Sequence, residues 1–264
     1  MVVALVLGTT VGIVMGLTGA GGGILAVPLL VFGMHLTVTQ AGPVGLLAVG
    51  IAAGVGALLG LKSKIVRYRA ALLIAAAGIV SALAGLWLAH RLDTRLMSLA
   101  FAVVLVWVAY KSFRESTIGD LDLKRRRPAQ PCIRNTGSGQ FMWTAKCAGA
   151  LSVSGGIAGA LSGLLGVGGG FVMVPALQRY TDLEAKSVVA TSLAVISLIS
   201  LTGVITSMST GDLDGDVALP FALGSVGGMI IGSLISSRLP PKYLKLAFAL
   251  ICLLVAAGMV IKAL

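Results

Sequence analysis

Along the chain, stretches without a single Asp, Glu, Lys or Arg alternate with short polar connections. The charge-free runs cover residues 2–34, 42–61, 70–89, 96–110, 149–177, 187–211, 217–237 and 246–261. Polar and apolar positions do not alternate inside them, which argues for membrane helices rather than barrel strands. Several runs approach the roughly 20 residues that a spanning helix needs. Two runs carry what a membrane helix should avoid: GLTGAGGGILAVP at 16–28 and GLLGVGGGFVMVP at 163–175. Each interior glycine costs a helix about 1 kcal/mol relative to Ala. Consecutive glycines therefore predict a break at Gly21–Gly23 and another at Gly168–Gly170, where the backbone adopts conformations closed to other residues.

The two segments belong to a duplication. At an offset of 147 residues, Gly8, Gly12, Gly16, Gly19, Gly21, Gly22, Gly23 and Pro28 recur as Gly155, Gly159, Gly163, Gly166, Gly168, Gly169, Gly170 and Pro175. Leu17/Leu164 and Val27/Val174 also match. The register slips to 146 at Ala48-Val49 and Ala194-Val195, then returns to 147 for Gly85/Gly232, Arg91/Arg238, Leu99/Leu246 and Phe101/Phe248. Glycines at four-residue spacing, Gly8-Gly12-Gly16 and Gly155-Gly159-Gly163, predict close helix packing, as do Gly224, Gly228 and Gly232.

Length and charge set the topology. The run at 2–34 has 33 residues, about 50 Å as one helix. That is too long for one untilted span of a ~30 Å core and too short for two. A helix, a glycine break and a short returning helix from Ile24 fit instead, followed by three ordinary spans. Lys62, Lys64, Arg67 and Arg69 place one loop in the cytoplasm, whereas the homologous loop at 209–216 has three acids and no base and reads as outside. The expected fold is an all-α membrane protein, a polytopic helical bundle of two inverted repeats, each a glycine-broken helix hairpin plus three transmembrane helices. The first repeat is 1–113, a cytoplasmic basic linker is 114–147, and the inverted second repeat is 148–264, with both termini outside. The linker carries Lys124-Arg125-Arg126-Arg127 and reads as mobile.

Composition agrees: 57% of residues are hydrophobic and 11% charged, against about 25% charged in soluble domains, and mean hydropathy is +1.03. The net charge of +11 gathers in loops between spans, so nucleic acid is not an expected partner; the lipid bilayer is. Cys132, Cys147 and Cys252 have no motif spacing, so neither a disulfide framework nor a metal site is expected. The N-terminus lacks the basic n-region of a cleaved signal peptide. No cofactor is expected, because neither glycine segment is followed by the Lys-Ser/Thr of a phosphate-binding loop or opens a βαβ unit.

The twin GxxGxGGG…P motifs, the short spans and the central linker together resemble the TauE/SafE sulfite-exporter family of small-anion transporters, over nearly the whole chain. The resemblance implies a multi-pass protein of the plasma membrane, the bacterial inner membrane, that moves sulfite, an organosulfonate or a related anion, by export through alternating access. An importer or channel for sulfate or thiosulfate is the rival reading, and a homo-oligomer is allowed. An intramembrane enzyme is disfavoured: Ser162 has no His on a neighbouring face, and no catalytic residue is assigned.

Chemistry points to the breaks. A helix that starts after a break leaves its first N–H groups unpaired and presents about half a positive charge. In lipid those groups need partners, and a small anionic substrate supplies them. The candidate substrate-binding residues are Gly19, Gly21, Gly22, Gly23 and Ile24 in the first half, and Gly166, Gly168, Gly169, Gly170 and Phe171 in the second. None of the runs holds a carboxylate of the kind cation pumps and proton antiporters use. Thr191 and Ser192 stand where the first half has Gly45 and Leu46, and are the leading side-chain ligands. Ser197, Ser200, Thr39 and Gln40 rank behind them. His35 and His90 lie near span ends, Trp87 and Trp107 read as lipid or packing residues, and Trp143 as a headgroup anchor.

Overall fold

A computed structural model describes residues 1–19, 21–89, 91–117, 132, 144–210, 215–236 and 241–263. Within them ten helices follow in order: α1 Val2–Thr18, α2 Gly23–Gly33, α3 Val38–Lys62, α4 Tyr68–Ala89, α5 Thr94–Thr117, α6 Ala145–Leu165, α7 Gly170–Tyr180, α8 Ala185–Thr210, α9 Gly215–Ser236 and α10 Pro241–Ala263. Among the described residues there is no strand, and one isolated bridge joins Cys132 to Thr181. Six helices, α3, α4, α5, α6, α8 and α9, are long and apolar enough to cross a membrane by length and composition. The readings of linker mobility, His90, Trp143 and Arg238 lie outside the described residues.

Local chemistry explains where the helices start and stop. α1 ends at Gly19, φ 87°, whose N–H donates to the Met15 carbonyl at 2.8 Å. α6 ends at left-handed Gly166, φ 70°, whose N–H donates to the Ser162 carbonyl at 2.8 Å. A Cβ at either backbone conformation is strained, so glycine terminates both helices cleanly. The returning helices α2 and α7 each have 11 residues, about 16 Å, half the depth of a bilayer core. α3 opens with a capping box, in which Thr37 Oγ1 accepts from the Gln40 N–H and the Gln40 side chain accepts from the Thr37 N–H.

The glycine ladders seat helices of one repeat on helices of the other. Cβ atoms added at Gly8, Gly12 and Gly16 of α1 would strike the backbone of α9 at Phe221, Ser225 and Met229. Cβ atoms at Gly155, Gly159 and Gly163 of α6 would strike the backbone of α4 at Ile74, Gly78 and Ala82. Each residue of the second contact set is the 147-offset counterpart of the first, so the repeats exchange equivalent contacts. The homologous helices α3 and α8 face one another antiparallel: Gly60 meets Ala190, Gly54 meets Ser197, Gly50 meets Ser200, and Leu46 meets Gly203. Most of the buried side chains along this seam are small or branched aliphatics, including Val49, Ala53, Ile196 and Ile199. They bring the backbones close enough for dispersion and packing to hold the bundle where lipid removes the hydrophobic drive.

One expectation is overturned. Cys132 and Cys147 form a disulfide, Cα atoms 5.0 Å apart, and Cys252 stays free and buried. Spacing concealed the pair because tertiary contacts create it. Cys132 is laid along the exit of α7, its N–H donating to the Tyr180 carbonyl at 3.2 Å and its carbonyl accepting from Asp182 N–H at 3.3 Å. Cys147 lies in the first turn of α6, where Thr144 Oγ1 accepts from its N–H at 3.2 Å, and α6 packs on α7.

Candidate functional site

The two glycine breaks meet inside the bundle. A Cβ at Gly23 would stand 3.2 Å from Val49 Cγ1 and 2.9 Å from the Val167 carbonyl oxygen. One at Gly168 would stand 3.1 Å from the same Val49 methyl and 3.1 Å from Ile196 Cγ2. Val49 occupies the middle of α3, Val38–Lys62, so the meeting point lies near mid-depth of that span. Gly22 to Pro28 and Gly166 to Phe171 are all buried.

The backbone donors differ between the breaks. In the first, Gly21 N–H donates to Thr18 Oγ1 at 3.1 Å, and Ile24 and Leu25 N–H donate to the Gly21 and Gly22 carbonyls at 3.2 and 3.0 Å. The Ile24 donor is thus already satisfied, and the N–H groups of Gly22 and Gly23 are the ones with no acceptor among the described residues. In the second, Leu165 replaces Thr18 and no hydroxyl caps the turn. Val172 and Met173 N–H share the Gly169 carbonyl at 3.2 and 3.3 Å, leaving Gly169, Gly170 and Phe171 N–H without acceptors among the described residues. Gly169 and Gly168 reach this conformation at φ 64° and 77°. The second break is the more open donor cluster, with the α7 dipole behind it.

Both leading hydroxyls hold a bond within the protein. Thr191 is fully buried and its Oγ1 accepts the Arg67 N–H at 3.1 Å, pinning the α3–α4 loop to α8. Arg67 Nε beside it is buried with no partner. Ser192 donates to the Val189 carbonyl at 2.8 Å, and the Val189 side chain packs against Gly19. Ser192 therefore stands one turn from the first break, while Ser200 stands at the second: a Cβ at Gly168 would be 3.3 Å from Ser200 Oγ. Gln40 is spent on the α3 cap. Trp87 and Trp107 are exposed on the bundle exterior, with Arg91 and Lys111 over their rings at 4.0 and 5.0 Å.

A cleft of about 40 Å³, lined by Thr39, Gly42, Leu46, Met97, Gly166 and Ser207 among others, leads to the C-cap of α6. It stops short of Gly168–Gly170. One water needs about 10–15 Å³ of such space, so the cleft admits only a few waters and the path is narrow in this conformation. At the first break the Val189 side chain covers Gly19, whereas at the repeat-related position the Gly42 backbone packs directly on Gly166. Sequence reasoning missed Gly42, Thr18 and Ser207 as elements of this asymmetry. The signal was present in the repeat alignment, where Gly42 opposes Val189 and Thr18 opposes Leu165.

Crossing helices, two interrupted helices meeting at mid-depth and a cleft reaching one of them define a membrane transporter. The chain belongs to the TauE/SafE sulfite exporter family, whose model matches residues 4–259. It is similar to the probable membrane transporter protein YunE of Bacillus subtilis (strain 168), 25% identical over 98% of this chain and 97% of that protein. It is also similar to a probable membrane transporter protein of Xylella fastidiosa (strain 9a5c), 26% identical over 90% of this chain and 85% of that protein. A third relative is the probable membrane transporter protein MJ0441 of Methanocaldococcus jannaschii, 28% identical over 92% and 88%. No solved structure matches the chain. Family and relatives are named for transport, in keeping with the expectation that the chain is not an enzyme.

Proposed function

We propose that the protein exports a small oxyanion, sulfite or an organosulfonate, by alternating access at the paired glycine breaks. The observation that carries the reading is that the two breaks meet at mid-depth, each with backbone donors that have no acceptor among the described residues: Gly22 and Gly23 in one, Gly169 to Phe171 in the other. Helix N-termini attract anions, and inside hydrocarbon the donors gain most from a negatively charged partner. Neutral donors also suit a single charge better than two, because desolvating a dianion without a counter-charge is far costlier. Hydrogensulfite and sulfonates fit this cradle better than sulfate.

The antiparallel α3–α8 pairing and the exchanged ladder contacts support inverted repeats. Rocking one repeat against the other would carry the Gly42 opening to the Val189 side. Charge favours an orientation with the Lys62-to-Arg69 loop and the linker inside, which turns the cleft outward. The Cys132–Cys147 disulfide pulls the other way, since such bonds persist mainly in oxidising compartments. Both sulfurs are buried, and charge acts on every loop during insertion, so the charges set the orientation. Export of one negative charge down about 100 mV, negative inside, gains about 2.3 kcal/mol, close to 50-fold in concentration. No coupled cation is then required.

The test is efflux of radiolabelled sulfite or methanesulfonate from proteoliposomes with a potassium-diffusion potential. Efflux above empty liposomes, faster with a negative interior, is expected. Absence of flux for sulfite, sulfonate, sulfate and thiosulfate alike sinks the proposal.

A further inference from the structure

We propose that the Ser200 hydroxyl is a substrate ligand that completes the oxyanion cradle at the N-terminus of α7; this deepens the reading above and rests on it. Ser200 is fully buried. The usual fate of a serine inside a membrane helix is to donate to a carbonyl one turn earlier. Ser81, Ser154, Ser192, Ser207 and Ser225 all do so, at 2.8 to 3.1 Å. Ser200 does not: its Oγ is buried with no hydrogen-bond partner, a state shared among the described residues by Arg67 Nε. A desolvated hydroxyl held without a partner is unfavourable, and a binding site is where such a cost is offset.

Its direction identifies the partner. Ser200 Oγ lies 3.3 Å from the position a Gly168 Cβ would take, at the residue that directly precedes Gly169, Gly170 and Phe171, whose N–H groups have no acceptor among the described residues. Gly168 has no side chain there, and on the other flank Gly50 lets Ser200 Cβ approach to 2.8 Å of where a Cβ would stand. Two glycines thus let the backbone on either flank pack close to this one serine. The first repeat has no equivalent, since Ser200 aligns with Gly54 at the 146 offset. Thr18 supplies the first break's hydroxyl instead, and it is already bonded at both ends, donating to Val14 and accepting from Gly21. The chemistry is a neutral donor set: the backbone N–H groups each bind one oxygen of a sulfite or sulfonate, and the hydroxyl donates to another. Because a hydroxyl also accepts, it tolerates the proton of hydrogensulfite.

Ser200→Ala in the full-length protein tests this, with sulfite as probe. Flux in proteoliposomes should show KM raised about 10- to 100-fold, as for loss of a hydrogen bond to a charged group. The rise in melting temperature that sulfite gives the purified wild type should vanish, while the melting temperature without sulfite stays equal or increases. Ser225→Ala, which removes a hydroxyl bonded to the Phe221 carbonyl, should keep the wild-type KM. Wild-type KM in Ser200→Ala overturns the inference and leaves the transporter reading standing. A lowered melting temperature without sulfite also overturns it, since it assigns the hydroxyl a structural bond. A wild type that neither moves sulfite nor is stabilised by it removes both.

Discussion

Gly42 offers a direct test of the asymmetry between the halves, because its repeat counterpart Val189 shows what a larger side chain does there. A Cβ at Gly42 would stand 3.6 Å from Gly166 Cα, an ordinary contact. Gly42→Ala should therefore fold as the wild type, with up to about 1 kcal/mol gained in helix propensity. Gly42→Val adds two further methyls pointing into the cleft of about 40 Å³. Burying them gains about 0.8 kcal/mol each, which offsets the roughly 0.7 kcal/mol lower helix propensity of a β-branched residue. With the glycine-to-alanine gain included, stability should lie between wild type and about 2 kcal/mol above it, while the added methyls fill the cleft beside Gly166. Sulfite efflux from proteoliposomes should fall at least about tenfold, which requires an added barrier of only ~1.4 kcal/mol. Alanine should retain most of the flux. A folded, monodisperse Gly42→Val protein with full flux would show that the cleft is not on the path and does not support alternating access.

Two further outcomes follow from packing. Gly159→Val places methyls against the Gly78 carbonyl and Cα and should force α6 from α4, destabilising by about 1–3 kcal/mol or more; detergent size-exclusion and melting curves should show it, whereas an unchanged melting temperature would refute the ladder as a packing seam. With Cys132 joined to Cys147 and Cys252 free, the denatured protein should take one maleimide-polyethylene glycol without reductant and three with it. Cys132→Ser should lower stability by about 3 kcal/mol for this 15-residue separation. Three labels without reductant would refute the bond.

Much of the architecture can be derived from the chain alone, because the membrane makes sequence unusually informative. Charge-free runs mark spans since hydrocarbon excludes charge, and α3, α4 and α5, then α8, α9 and α10, follow the two glycine segments as the duplication implies. The breaks were legible because consecutive glycines have no other use in a span, and Gly19 and Gly166 end their helices in conformations that a side chain would strain. The ladders Gly8-Gly12-Gly16 and Gly155-Gly159-Gly163 announced close packing, though not which helix they pack on.

Tertiary structure decided what depends on partners distant in the chain. Thr191 and Ser192 each carry a bond that the sequence does not show, one accepted from Arg67 N–H and the other donated to the Val189 carbonyl. Ser200 looks like any span serine, and only the approach of Gly168 and Gly50 distinguishes it. Cys132 and Cys147 acquire a bond because the exit of α7 lays one beside the other. Sequence fixes where the chain can enter lipid and where it must bend, since those are local costs. Which donors remain unpaired is a property of the whole packing, because a hydrogen bond is settled only when both of its ends have been placed.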